Sequence, residues 1–295
     1  MLLAFVALFS ITRSWGRHLN ELGVQMGLGA PPLFGRHDPR TPMAIAPAVV
    51  FALGAVLWGP RVASAAPWRR LVFGSVAAAG VWAVLLAVAD GTTALVEPLT
   101  HGTGYFPLVA RINSPGAFVD SFVERLAAYP VHVQGHPPGI VLFLWALGRA
   151  GLHGQWPAAA TFVIAGASAA GAALIGVNEI AGERLARSAA PFLVLTPMAI
   201  WIATTADALW LGISAWGVAL FVVAAERSGR MGDMWALAAG LLLGAALMMS
   251  YGIAPLGAVV ALEVWWRAAV RQALIAATGV AAIAAAFAIF GFWWH

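Results

Sequence analysis

The 295-residue chain contains no cysteine, which excludes a disulfide framework, a thiolate metal site and a thiol nucleophile. It contains no lysine either: all sixteen Lys+Arg positions are arginine. Alongside so much alanine and glycine, this reads as a coding bias. Charge of either sign is scarce, at 9% of residues, where soluble domains carry about 25%. The sequence pI of about 10.6 therefore rests on few groups. No run of arginine exceeds the pair Arg69-Arg70. That excludes a nucleic-acid surface and reads as topogenic arginine placed in loops.

What is abundant is apolar sequence: 62% hydrophobic residues and a mean hydropathy of +0.87. Several runs approach the ~18–20 apolar residues that cross a bilayer as a helix. The expected fold is an all-α, polytopic transmembrane bundle forming a single integral membrane domain over residues 1–295, with no soluble domain and no fixed-period repeat. Its partners would include membrane lipids and no nucleic acid. Met1–Ile11 reads as an uncleaved signal anchor or a clipped first span, and Ser14–Pro42 as a loop with interfacial pieces. Spans are expected near 43–58, 71–89, 157–177, 190–206, 207–225, 234–250, 251–266 and 273–294. Between the second and third lies a large polar loop, residues 91–137. Within it, Phe118, Phe122, Leu126 and Tyr129 recur at helical spacing opposite Asp120, Glu124 and Arg125, predicting an interfacial helix over Pro115–Tyr129.

Topology turns on the segment that follows. Pro138–Leu152 is about 15 residues, or roughly 22 Å of helix, against a hydrocarbon core of roughly 30 Å. Read as an interfacial or re-entrant helix, it leaves the 91–137 loop opposite the basic turns at 61–70, 184–187, 227–230 and 267–271. Read as a span, it reverses the first basic turn. Arginine counting alone favours the span; the segment's length and the motif at its start favour the interfacial reading, which is adopted.

That motif is His136-Pro137-Pro138-Gly139, closing the stretch from Tyr129. With an early polar loop before it and a short apolar helix after it, the arrangement resembles the C-type glycosyltransferases (GT-C). The likeness is to the branch of protein O-mannosyltransferases and aminoarabinose transferases. Thr196-Pro197 followed by Thr204-Thr205-Ala206-Asp207-Ala208 is similar to a Pro…Asp-Ala pattern that opens a later span in that family. Glu183-Arg184-Leu185-Ala186-Arg187 matches its intervening basic turn. The likeness covers about residues 71–225. It implies an extracytoplasmic first loop, a location in the bacterial plasma membrane, and a donor that is a polyprenyl-phosphate sugar. The acceptor would be a glycan, lipid or protein, and the transfer inverting. Members of that branch continue through further spans, so the resemblance predicts more chain beyond His295.

One departure is specific. Family members carry an acidic residue, often Asp-Glu before a tyrosine, early in the first loop, and that carboxylate is the base. Here Gly104 precedes Tyr105. The candidate bases are therefore Asp90, first, and Glu97, second, for a carboxylate must take the acceptor proton. Arg111 and Arg125 are candidates to hold the lipid phosphate or membrane headgroups. Tyr105, His132, Gln134 and His136 are candidate substrate-binding groups. Asp207 joins them because it is the single ionisable residue from 191 to 225; it is either an acid at membrane depth or a cap on the next helix. The four-residue spacing of His132 and His136 would suit a metal on a continuous helix, but Gly135 and the proline pair oppose helix there, so no divalent metal is expected. Tryptophans near span ends read as interface anchors. A lipid or solute transporter, or a scaffold of this family that has lost its acid, remain as alternatives.

Overall fold

The computed structural model describes residues 2–24, 43–100, 102, 104–203 and 205–293. The chain divides into two compact units, residues 1–42 and 43–295. In the first, α1 (Leu2–Glu21) is a continuous helix. The loop expected from residue 14 is thus helical through Glu21, and its remainder falls outside the described residues.

In the second unit the helices of ten or more residues are α2 (Ala46–Ala65), α3 (Trp68–Ala87), α4 (Gly139–Arg149), α5 (Gln155–Ala181), α6 (Glu183–Val194), α7 (Asp207–Ala225), α8 (Gly229–Leu247), α9 (Gly257–Arg267) and α10 (Val270–Ile289). No strand occurs among the described residues. Among the described residues six segments are long and apolar enough to cross a membrane: Met43–Ala65, Trp68–Asp90, Gln155–Ala181, Asp207–Ala225, Gly229–Leu247 and Val270–Ile289. The protein is an all-helical, multi-pass membrane protein.

Two segments expected to be spans are broken instead. The first, 190–206, consists of the end of α6 and one further turn, Ala199–Ile202. Pro197 has no N–H with which to continue a helix, and the Trp82 indole N–H donates to the neighbouring Thr196 carbonyl at 3.2 Å. The second, 251–266, begins as a 3-10 turn, Tyr251–Leu256, containing Pro255, before α9 starts. Such breaks are tolerated at membrane depth where neighbours satisfy the freed backbone groups.

Polar contacts fix which helix ends lie together. Arg187, near the start of α6, donates to the carbonyls of Ala63 (2.6 Å) and Ala66 (2.8 Å), capping the end of α2. Arg227, just after α7, pairs with Glu179 near the end of α5 at 3.2 Å. Arg267, at the end of α9, donates to the Glu179 carbonyl at 3.1 Å and pairs with Glu226 and Glu263. Arg271, at the start of α10, pairs with Asp233 of α8 at 2.7 Å. The basic turns at 61–70, 184–187, 227–230 and 267–271 therefore share one face of the bundle. Between the first and second of them the chain must cross an even number of times, and α3 with α5 supplies both crossings. The eleven residues of α4 make only ~16 Å of helix and stay on the opposite face. Nine of the twelve arginines in residues 43–295 lie on the first face; Arg111, Arg125 and Arg149 lie on the other.

The bundle's centre is α7, which packs on α5 and α8, while α8 packs on α10. Small residues bring these axes close. A Cβ at Gly212 of α7 would overlap the Ala165 carbonyl of α5, and one at Gly240 of α8 would overlap the Ala276 carbonyl of α10. Without a hydrophobic drive between helices in lipid, such close backbone packing supplies the association energy. Gly240→Leu should therefore force α8 from α10 and lower stability by about 1–3 kcal/mol or more, read as a fall in the thermal midpoint in detergent; an unchanged midpoint would show that this crossing is not held by close contact. Because the chain lacks cysteine, single cysteines report sidedness directly. Asn113→Cys should react with an impermeant thiol reagent in intact cells and Ser228→Cys only after lysis; labelling of both positions before lysis would contradict the two-face arrangement.

Candidate functional site

The His136-Pro137-Pro138-Gly139 motif is held from below by the break after α8. The Gly139 N–H donates to the Met248 carbonyl at 2.8 Å, and a Cβ at Gly139 would overlap that same carbonyl. Only glycine permits this approach. Pro137 and Pro138 are fully buried. They fix the chain just before the first turn of α4, where proline is tolerated because the N–H would be unpaired anyway. Val131–Gln134 forms a single helical turn that ends at Gly135, so His132 and His136 do not share a continuous helix. The Gln134 side-chain amide donates to the Tyr129 carbonyl at 2.7 Å, and Gln134 lines neither of the two cavities of this face. It staples the loop.

His136 faces across to the start of α7. Its ring lies over the Trp210 indole at 5.0 Å between centroids and 35° between planes, and near the Tyr105 ring at 6.3 Å. His132 approaches Tyr105 from the exposed side at 6.2 Å. Asp207 is the first residue of α7 and is exposed. A carboxylate in the first turn is favoured by the helix dipole. The Thr205 hydroxyl donates to its Oδ2 at 2.9 Å. Asp207 thus opens the helix from an exposed position, while the N-cap position is held by Ala206. Together Tyr105, His132, His136, Thr205, Asp207 and Trp210 surround a cavity of about 120 Å³, with Pro98 and Leu99 completing a wall.

Electrostatics in this cavity follow from burial and from Asp207. Burial pushes the Tyr105 phenol well above its usual range, and the Asp207 charge adds to that; Tyr105 remains an O–H donor at any physiological pH. Burial also lowers His136, outweighing the opposing pull of Asp207, while nearby His132 lowers it further and a hydrogen bond with the Met249 backbone raises it. His136 is thus neutral near pH 7, and its Nδ1 is buried without a protein hydrogen-bond partner. Among the described residues no group of three or more His, Asp or Glu side chains converges as metal ligands would.

The other candidates fall elsewhere. Arg111 and Arg125, far apart in an extended loop, come together around a second hollow of about 730 Å³, with Ser114, Ser121 and Tyr129. Neither arginine has a carboxylate partner among the described residues, and Arg125 is close enough to act on the Tyr129 phenol. The helix expected over Pro115–Tyr129 is shorter: Pro115–Asp120, capped by Ser114, followed by turns and a 3-10 turn at Leu126–Ala128. The helix ends at Ser121, whose N–H and hydroxyl both donate to the Ala117 carbonyl, at 3.2 Å and 2.8 Å. The apolar stripe survives as a ring cluster of Phe118, Phe122 and Tyr129. Asp90, at the end of the 3-10 turn after α3, and Glu97, opening the turn Glu97–Thr100, are exposed and line neither cavity. Sequence reading missed Thr205 and Trp210. The signal for Trp210 was its position three residues after Asp207, which puts both on one side of a helix. Comparison with protein-family models, curated proteins and solved structures finds no match.

A lowered His136 pKa has a defined consequence for stability. The unfolded chain binds the proton more tightly, so stability is fully present above about pH 6.5, the unfolded value, and declines as pH falls towards the lower folded value. The thermal midpoint should fall between pH 7 and pH 5.5, and His136→Gln should flatten that part of the profile; an equal slope in the variant would remove His136 as its source.

Proposed function

We propose that the chain is an integral membrane glycosyltransferase acting on the loop side of a bacterial plasma membrane, with its arginine-rich face in the cytoplasm. The donor would be a sugar linked to polyprenyl phosphate and the acceptor a hydroxyl on a glycan, lipid or protein. The observation that carries this reading is the meeting of Asp207 with Tyr105, His132, His136 and Trp210 in one small cavity at the loop face. The motif resemblance supplies the reaction class. The base is reassigned from Asp90 and Glu97 to Asp207, the carboxylate that lines the cavity.

In the proposed reaction the acceptor O–H gives its proton to the Asp207 carboxylate as its oxygen bonds to the anomeric carbon. The bond from that carbon to the phosphate oxygen breaks, its electron pair leaves with the lipid phosphate, and the configuration inverts. Tyr105, kept protonated by burial, donates a hydrogen bond to the sugar or acceptor. His136 and Trp210, with ring centroids 5.0 Å apart, together back the same space. The hollow holding Arg111 and Arg125 is lined by other residues, and its two guanidinium groups would serve a lipid headgroup.

Asp207→Asn should lower transfer from polyprenyl-phosphate sugars by about 10²–10⁴-fold, whereas Asp90→Asn and Glu97→Gln should leave it within a few-fold. Full activity in Asp207→Asn would sink the assignment of the base. One observation favours a transporter as the second reading: the bundle contains two broken traverses, at Leu195–Met198 and Tyr251–Leu256, and paired breaks mark substrate paths in transporters. Reconstituted vesicles distinguish the two, since a transporter moves its solute across the bilayer without changing it chemically.

A further inference from the structure

On the arginine-rich face, far along the bundle from Asp207, α2 and α6 diverge from their contact and leave a groove open to the surroundings, with a volume of about 880 Å³. Its two halves differ in character. One end is polar, with Ser64, Arg184, Arg187 and Ser188; the rest is apolar, walled by Val56, Pro191, Phe192 and Leu195. Phe192 is 80% exposed and Val56 61% exposed, so these walls present apolar surface that no other helix covers.

The charges at the polar end do not cancel. Arg187 is committed: it donates to Glu183 through Nε at 2.8 Å and through Nη2 at 2.6 Å, and to the two α2 carbonyls through Nη1. Glu183 is thereby neutralised. Arg184 is exposed and has no side-chain partner among the described residues, leaving a net positive charge at the mouth. The twelve residues of α6 run for roughly 18 Å, against roughly 15 Å for one leaflet of a ~30 Å core. A groove with a cationic mouth and an apolar trough one leaflet deep matches one amphiphile in charge, polarity and length.

We infer that this groove is a binding site for an anionic phospholipid of the leaflet on the arginine-rich face, its phosphate on Arg184 and one acyl chain lying along α6 between Val56 and Phe192. The Arg187 bridge from α6 to α2 holds the two walls in register. Ser64 and Ser188 stand at the mouth with their hydroxyl protons given to the carbonyls of Arg61 and Arg184, so they offer the glycerol hydroxyls acceptor lone pairs.

The test is native mass spectrometry of the full chain purified in detergent and titrated with phosphatidylglycerol, phosphatidylcholine or glycerol 3-phosphate. Phosphatidylglycerol should bind about fivefold more tightly than phosphatidylcholine, the advantage of one arginine over a neutral site. Arg184→Gln should abolish that preference, Val56→Trp should weaken both lipids by filling the trough, and Arg149→Gln, on the opposite face, should change neither. Glycerol 3-phosphate should not bind measurably, because the trough contributes through the acyl chain. Thermal midpoints within a few degrees of the unsubstituted chain establish that the variants are folded; should Val56→Trp fail that criterion, Phe192→Ser replaces it. The inference is overturned by equal binding of the two phospholipids, by a preference that survives Arg184→Gln, or by tight binding of the free headgroup. It is equally overturned if Val56→Trp leaves lipid binding intact but converts a dimer to monomer, which would assign the groove to a second copy of the chain.

Discussion

In hydrocarbon a peptide group has no water to bond, so each break in a helix needs a neighbour to take up the groups it frees. This constraint decides where the present chain can leave regular helix, and the candidate site is built from those departures. The break after α8 gives the Met248 carbonyl to the Gly139 N–H at 2.8 Å. The break after α6 gives the Thr196 carbonyl to Trp82 at 3.2 Å. The first of these anchors the proline pair, and with it His136; the second precedes Thr205 and Asp207. A cavity that combines ionisable groups from a loop and from a helix start thus depends on backbone bonds made by residues with no role in its chemistry.

Charge is organised by the same division. On the arginine-rich face the carboxylates are consumed in pairs: Glu179 with Arg227, Glu183 with Arg187, Asp233 with Arg271, and Glu226 and Glu263 with Arg267. These contacts tie α5, α6, α7, α8, α9 and α10 to one another or to α2 through short spans of sequence. Several are exposed, and each exposed pair contributes little alone; their effect is to define which helix ends are neighbours. On the loop face the ionisable groups of the cavity have no such ion-pair partners among the described residues. Asp207 is met there by a hydroxyl, a phenol and two imidazoles, an arrangement that leaves its charge available.

Much of the fold was legible in the apolar runs. The six continuous spans were anticipated to within a few residues at most ends, because length and hydropathy suffice for a helix that must satisfy its own backbone. The two broken traverses were read as spans, because Pro197 and Pro255 sit in apolar sequence and hydropathy does not register a missing N–H. The interfacial helix at Pro115–Tyr129 was read too long for a different reason: its apolar period persists beyond Asp120, where the backbone leaves the α-helix. Side-chain periodicity reports which face is buried, not whether the backbone stays helical between the buried residues.

The sequence by itself determined that this is a multi-pass helical membrane protein, and that Tyr105, His132, His136 and Asp207 merited notice. These follow from local properties: composition, run length, and the rarity of polar groups in an apolar chain. Only the tertiary structure decided that those four residues face one cavity with Trp210, that Asp90 and Glu97 stand outside it, and that the four basic turns share one face. The physical reason is that residues as many as 105 positions apart, Tyr105 and Trp210, line one cavity, their elements brought together by close approaches such as those at Gly139 and Gly212. A close crossing is a property of two helices at once, and neither sequence segment alone records its partner.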